Sequence, residues 1–304
     1  MESGIAPAEP GACPKVGDFP QEPGVNPQMR ISGGSSMRVG FLQFFPKFAL
    51  AEEDKAKNID KIKGFLQGAK ADLVVLPELF ATGYLFESRE ELVGLAEDAD
   101  GPTVRALKSL SLEFNTAIVG TVAERSGDAV YNTCYAVSAG EIAGKYRKVH
   151  LFDREKHLFA PGDLPFPVVD IRGARIGLMV CFDWIFPEVA RVLALGGAQI
   201  LCHPSNLVLP FCPPAMVTRC IENRVFAITA NRVGMERTGN TELEFIGMSE
   251  VVAPNGDIMA RAGREEELLQ IVDIDPATAD EKMVTSTNDV MGDRKPEFYR
   301  KLCE

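Results

Sequence analysis

The chain has 304 residues, 46% of them hydrophobic, and a formal net charge of −11. That is an ordinary globular composition, long enough to bury a core without disulfide or metal staples. The acidic balance argues against nucleic acid and anionic membrane as partners, since both select a basic face.

Residues 1–36, "MESGIAPAEPGACPKVGDFPQEPGVNPQMRISGGSS", are rich in Pro and Gly and carry no periodic apolar face. No basic segment leads into an apolar one, so they do not read as a signal peptide. They are expected to be a disordered extension, or sequence upstream of the true start. "MRVGFLQF" (37–44) reads as a strand. Residues 52–69 read as a helix with Ile59, Ile62, Phe65 and Leu66 on one face. "DLVVLPE" (72–78) is a continuous apolar strand, and 102–114 a helix bearing Val104, Leu107, Leu110 and Leu112. "TAIVGTVAE" (116–124) and "VYNTCYAVS" (130–138) read as a strand pair, followed by "GEIAGKYRK" (140–148). A strand at 175–181, a helix near 187–195 and the strand "AQILCHPSN" (198–206) come next. A helix at 214–223 leads into "RVFAITANRVG" (224–234), and two more strands follow at 245–254 and 268–275.

Several strands are apolar at every position, which implies burial on both faces. Single helices between strands, together with paired strands, give an α/β class with mixed sheets. Ten or so strands are too many for one open sheet, so two packed sheets are expected. Residues 37–275 read as one domain, and 276–304 as an extension that packs on a neighbour or a partner subunit. The seven cysteines are an odd number with no C-x-x-C pair. They read as reduced thiols in a cytoplasmic setting. No apolar run reaches 18 residues, so no membrane span is expected.

Glu78, Lys148 and Cys181 each stand where an apolar strand ends. Functional groups in parallel α/β sheets gather at the carboxyl ends of strands, so three distant residues can converge there. A thiolate is a nucleophile, a carboxylate can take its proton, and a lysine can stabilise the oxyanion formed at an attacked carbonyl or nitrile. Taken singly, each has a plain structural reading. Cys181 alone is a small core hydrophobe. Lys148 alone belongs to a basic surface patch, and Glu78 alone is a solvated loop acid. The residues alone give no metal or nucleotide reading. The three histidines (His150, His157, His203) form no H-x-H or H-E-x-x-H, and no G-x-G-x-x-G or P-loop occurs.

The segments "VVLPELFATGY", "GKYRKVHLF" and "GLMVCFDWIFPE", in that order, resemble the glutamate, lysine and cysteine motifs of the nitrilase superfamily of carbon–nitrogen hydrolases. The resemblance runs from about Met37 to Asp275. It implies a four-layer αββα sandwich of two mixed β-sheets flanked by helices, paired into a homodimer or larger homo-oligomer. It implies Glu78 as general base, Lys148 as oxyanion stabiliser that also helps to hold the thiolate, and Cys181 as nucleophile. Glu155 in "REKHLFAPGD" matches a second glutamate near the lysine, and the backbone N–H of Phe182 would complete the oxyanion hole. Tyr84, Trp184 and Asn206 are weaker candidates for the substrate pocket, and Asp183 and Glu188 for holding the turn. No cofactor and no metal is implied. The expected substrate is a small aliphatic amide or nitrile, cleaved to a carboxylate and ammonia through a thioester or thioimidate. "CFDW" departs from the Trp-Glu-Asn usual in plant and bacterial nitrilases and leans toward amidases, or toward archaeal-type aliphatic nitrilases. Hydrolysis of N-carbamoyl amines, and a catalytically silent scaffold on the same fold, are the alternatives.

Overall fold

The computed structural model describes residues 36–303; the expected extension, all but Ser36, lies outside them. From β1 (Met37–Gln43) the chain runs through α1 (Glu52–Leu66), β2 (Leu73–Val75), α2 (Arg89–Leu95) and α3 (Pro102–Glu113). Then come β3 (Ala117–Ser126), β4 (Ala129–Ser138), β5 (Glu141–Arg147), the single turn α4 (Glu155–Leu158), β6 (Val168–Ile171) and β7 (Ala174–Leu178). A 3₁₀ turn at Cys181–Ile185 leads to α5 (Pro187–Leu195), β8 (Ile200–Pro204), α6 (Cys212–Asn223) and β9 (Phe226–Ala230). The chain continues through β10 (Val233–Thr238), β11 (Thr241–Ile246), β12 (Glu250–Val252), β13 (Ile258–Arg261) and β14 (Leu268–Ile274).

Two six-stranded mixed sheets result, in the orders β14-β1-β2-β3-β4-β5 and β13-β12-β9-β8-β7-β6. In each, three central strands run parallel and the flanking strands antiparallel. β10 and β11 form a separate hairpin. The period of two along the strands decides the layering. Val39, Phe41, Leu73, Val75, Ala117 and Val119 face the core between the sheets. Their neighbours Leu42, Val74 and Ile118 face outward, against Ile62 and Leu66 of α1 and Val104, Leu107 and Leu110 of α3. α5 and α6 pack on the second sheet through Val189, Leu193, Met216 and Cys220. The architecture is therefore the expected helix–sheet–sheet–helix sandwich.

Local differences have physical causes. The strand expected over 245–254 is two strands, because Gly247 and Met248 both take positive φ and turn the chain between them. Leu112 leaves the buried face of α3, lies 63% exposed and rests beside Gly140 of the β4–β5 turn. Cys181 is not the last residue of a strand: β7 ends at Leu178. Past β14, Asp280 binds Arg175 and Gln199, Lys282 donates to the carbonyls of Asn223 and Arg224, and Arg191 meets Met291. These contacts fix the segment to the second sheet of its own chain. No helix among the described residues is long and apolar enough to cross a membrane.

Candidate active site

Glu78 lies three residues past β2 and is fully buried. Its N–H donates to Ser205 O at 3.3 Å, which ties the end of β2 to the end of β8 in the other sheet. One carboxylate oxygen, Oε1, accepts from Lys148 Nζ and from Asn132 Nδ2, each at 2.7 Å. The other, Oε2, is buried without a partner.

Lys148 follows β5 directly, and its N–H donates to Asn132 O at 2.9 Å. Its ammonium also donates to Glu155 Oε1 at 2.7 Å, so one cation bridges two buried carboxylates. Glu155 Oε2 accepts from Phe152 N at 2.8 Å. Burial disfavours the ammonium of Lys148, but Glu155, Glu78 and Cys181 outweigh it and hold the amine protonated above the usual lysine range. Burial likewise pushes the Glu155 carboxyl up; Lys148 opposes this and the Glu78 charge adds to it.

The backbone of Lys148 is held from behind by "APGD". Gly162 N donates to Lys148 O at 2.9 Å, and Asp163 pairs with Arg147. A Cβ on Gly162 would lie 1.9 Å from Arg147 O, a clash with main chain that no rotamer relieves. Gly162→Ala is expected to cost about 1–3 kcal/mol of stability and to lower kcat at least about tenfold, by displacing the lysine. A thermal melt and steady-state turnover of the purified variant check both.

Cys181 begins the 3₁₀ turn with φ of +41°, a left-handed conformation that a non-glycine residue adopts only when its surroundings impose it. Two clamps impose it. His203 Nε2 lies 2.8 Å from Cys181 O, and its Nδ1 lies 3.1 Å from Thr229 Oγ1. Asp183 accepts from Val180 N at 2.8 Å and Tyr146 Oη at 3.0 Å, and meets His150 Nδ1 at 2.7 Å. That second clamp ties the cysteine turn to the strand that delivers Lys148. Glu188, the other residue expected to hold the turn, is exposed. Burial pushes the Cys181 thiol well above its ordinary range and Glu78 adds to this, while Lys148 and the Asn206 N–H oppose it.

His203 is fully buried, and burial pushes its pKa down from 6.5 to about 4. The folded state thus refuses a proton that the unfolded chain accepts. Its stability contribution is complete above about pH 6.5 and is lost as pH falls toward 4. Between pH 7.5 and pH 5 this loss amounts to about 2 kcal/mol. Urea unfolding of the parent and of His203→Gln should show their stabilities converging by that order over the interval. A constant gap would contradict the assignment.

Asn206 follows β8, and both polar atoms of its buried side chain are unpartnered. The phenol of half-buried Tyr84 lies within reach of Glu155, Glu78 and Cys181, and burial raises its pKa well above the usual value. The Phe182 ring packs against Phe152 and Phe186, and as the second residue of the turn its N–H has no carbonyl within the helix to bond. Trp184 packs on the core, with its carbonyl accepting from Arg219. A cavity of about 50 Å³ opens beside Glu155 and Tyr84, walled by Phe86, Phe152, Leu158 and Leu243. Trp184 is not among its walls. Asn132 and the structural role of His203 escaped the sequence reading. Their signal is a polar residue at an inward position of an otherwise apolar strand, which has to find a buried partner.

Two sheets thus bring a thiol, two carboxylates and a buried ammonium to one site, a set of groups that suits thiol-dependent hydrolysis. The sequence profile of the family described as carbon-nitrogen hydrolase matches residues 38–282, and the chain belongs to that family, an amidase- and nitrilase-like group of carbon–nitrogen hydrolases. It is 42% identical over 267 residues to a protein named nitrilase from Pyrococcus abyssi, covering 86% of this chain and 99% of that one. It resembles the crystal structure of a carbon-nitrogen hydrolase from Helicobacter pylori G27, with a TM-score of 0.80 and 29% identity, covering 89% of this chain and 99% of the other. It also resembles a mutant amidase from Nesterenkonia sp. AN1 that shows covalent addition of the acetamide moiety of fluoroacetamide at the active site cysteine. There the TM-score is 0.72 and the identity 28%, covering 89% of this chain and 98% of that one.

Proposed function

We propose that the enzyme hydrolyses small aliphatic amides or nitriles to carboxylate and ammonia through a covalent intermediate on Cys181. The observation that carries this is the Glu78 carboxylate. One oxygen is locked on Lys148 and Asn132, and the other is buried, unpartnered and within electrostatic reach of the thiol. A buried polar atom without a partner is rare in a native fold and is expected to receive one from a ligand or a reacting group.

Glu78 Oε2 takes the Cys181 proton as sulfur attacks the substrate carbon. The charge developing on the substrate oxygen or nitrogen meets the Lys148 ammonium and the Phe182 N–H. For an amide, Glu78 returns the proton to the departing nitrogen, ammonia leaves and a thioester remains. Glu78 then deprotonates water, which attacks the thioester and releases the carboxylate, and the proton returns to the thiol. A nitrile gives a thioimidate first, whose attack by water expels ammonia and yields the same thioester. Glu155 holds Lys148 from its far side, and the Asn206 carboxamide offers a donor and an acceptor to the substrate.

The cavity of about 50 Å³ opens beside the acid that holds Lys148, with Tyr84, Phe86, Phe152 and Leu158 as well as Asp153 and Arg154 in its walls. It favours a small substrate, although Cys181 and Glu78 do not themselves line it. Pairing of subunits is proposed through the outer side of α5, α6 and their flanking turns, where Ile185, Val192, Leu195, Phe211 and Ile221 stand exposed.

Ammonia release from a panel of C2–C5 amides, the matching nitriles and N-carbamoyl amines tests the reading. Turnover of short amides or nitriles that Cys181→Ser abolishes is the expected result. Turnover confined to carbamoyl compounds, or none at all, would overturn it.

A further inference from the structure

Arg232 and Glu236 form a buried ion pair that none of the chemical steps above uses. Arg232 is wholly buried, and its Nη2 lies 2.6 Å from Glu236 Oε1 and donates to Pro46 O at 3.0 Å. Its guanidinium sits 4.2 Å from the centre of the Phe245 ring and 5.5 Å from that of Phe45. Burying two charges costs several kcal/mol per ion before their attraction returns any of it, and an apolar pair of similar volume often serves stability as well. The pair therefore calls for a use that an apolar substitute would lack.

That use is visible in the second oxygen of Glu236. Oε2 accepts from the backbone N–H groups of Tyr84 at 3.0 Å and Leu85 at 2.8 Å. The loop can come this close because Gly83 has φ of +82° and no side chain. A Cβ there would stand 2.7 Å from Glu236 Oε1 and 2.8 Å from the Phe48 ring. Phe245, the next strand's residue over Arg232, also packs edge-on against the Tyr84 ring at 6.1 Å between centroids. β10 and β11 thus grip the Tyr84 loop by main chain and by ring, and Tyr84 stands in the wall of the same cavity as Glu155, which holds Lys148.

We propose that Glu236 is a positioning residue for catalysis: by binding the Tyr84 and Leu85 amides it sets the Tyr84 hydroxyl against Glu155, and so fixes the acid that holds Lys148. Arg232 is the counter-charge that holds Glu236 aimed at those amides. The inference rests on the hydrolase reading of the site, because it gives Glu155 and Lys148 their work.

Two substitutions test it. Glu236→Gln removes the charge from the anchor, and Gly83→Ala leaves both charges in place but pushes the loop off Glu236, so the test survives if the first variant folds poorly. Each should lower kcat about tenfold, the worth of one lost hydrogen bond at the site, with little change in KM. In a Tyr84→Phe background neither should lower kcat further by more than about twofold, because the hydroxyl they act through is already gone. A loss as large in that background as in the parent, or a rise in KM with kcat unchanged, would overturn the proposal. Crystal structures of both variants give a readout that needs no substrate. The Tyr84 hydroxyl should have moved away from Glu155, and an unmoved hydroxyl overturns the proposal. A parent enzyme inactive on the whole amide and nitrile panel would refute the substrate reading instead, and would leave this structural readout standing.

Discussion

Cys181→Ser is expected to fold as the parent does and to lose at least about three orders of magnitude in kcat. Serine keeps the size of the side chain and its place at the head of the turn, so the two clamps that hold φ at +41° remain. What it loses is an acidic, polarisable nucleophile, and Glu78 cannot take a proton from a hydroxyl as readily as from a thiol. Circular dichroism and ammonia release separate the two effects. A second measurement makes the result specific. Cys134, Cys202, Cys212 and Cys220 are buried, and burial raises the pKa of each. Cys181 is buried too, but of these five thiols it alone is drawn toward the thiolate by Lys148, so brief treatment with a substoichiometric alkylator should label Cys181 in proportion to the activity lost. Loss of activity with the label elsewhere, or a serine variant that still turns over, would return Cys181 to the role of a core residue.

Lys148→Met is expected to lower kcat by at least a hundredfold, as removal of one oxyanion donor does (about 10²–10³). It should also destabilise the fold. Methionine leaves Glu78 and Glu155 facing each other without the cation that both now bind at 2.7 Å. Breaking a buried ion cluster in this way costs about 3–5 kcal/mol. The pH dependence has a definite sign. Without Lys148 the Glu155 carboxyl, already raised by burial and by Glu78, rises further. The folded variant then takes up a proton that the unfolded chain releases, so its deficit is greatest at alkaline pH and narrows as pH falls through the raised value. Urea midpoints of parent and variant at pH 8.5 and pH 5.5 check this. A deficit that widens on acidification would mean that the lysine does not bridge the two acids.

Much of this was legible in the sequence, and the limits have physical reasons. Continuous apolar runs announced β1, β2, β7, β8 and β9 because the sandwich buries both faces of each sheet. Helix periodicity placed α1, α3, α5 and α6 to within a few residues. Short elements with mixed polarity, α2, β6 and β13, carry no such pattern, and β10 and β11 were merged with their neighbours. At the site, Glu78, Lys148 and Cys181 were singled out by their expected place at strand ends and Glu155 by family resemblance, and the fold sets Lys148 between the two acids. The positive φ of Cys181 was not legible, since it is imposed by His203, a partner in another strand. Nor was the Arg232–Glu236 pair, whose use appears only once the Tyr84 loop lies across β10.

The two halves of the reacting centre belong to different sheets. Glu78 and Lys148 hang from the ends of β2 and β5, while Cys181 and Asn206 hang from those of β7 and β8. Side chains such as Val119 and Leu178 in the layer between, with the Glu78 N–H on Ser205 O and the Tyr146 hydroxyl on Asp183, hold the halves at working distance. Turnover is therefore a ruler laid across the sandwich. A drift of about 1 Å can cost a hundredfold in rate, whereas helices and strands survive much larger loosening. Warming or dilute denaturant should silence the enzyme while its circular dichroism still looks native, and trimming a methyl group in that layer should register first as a kinetic defect.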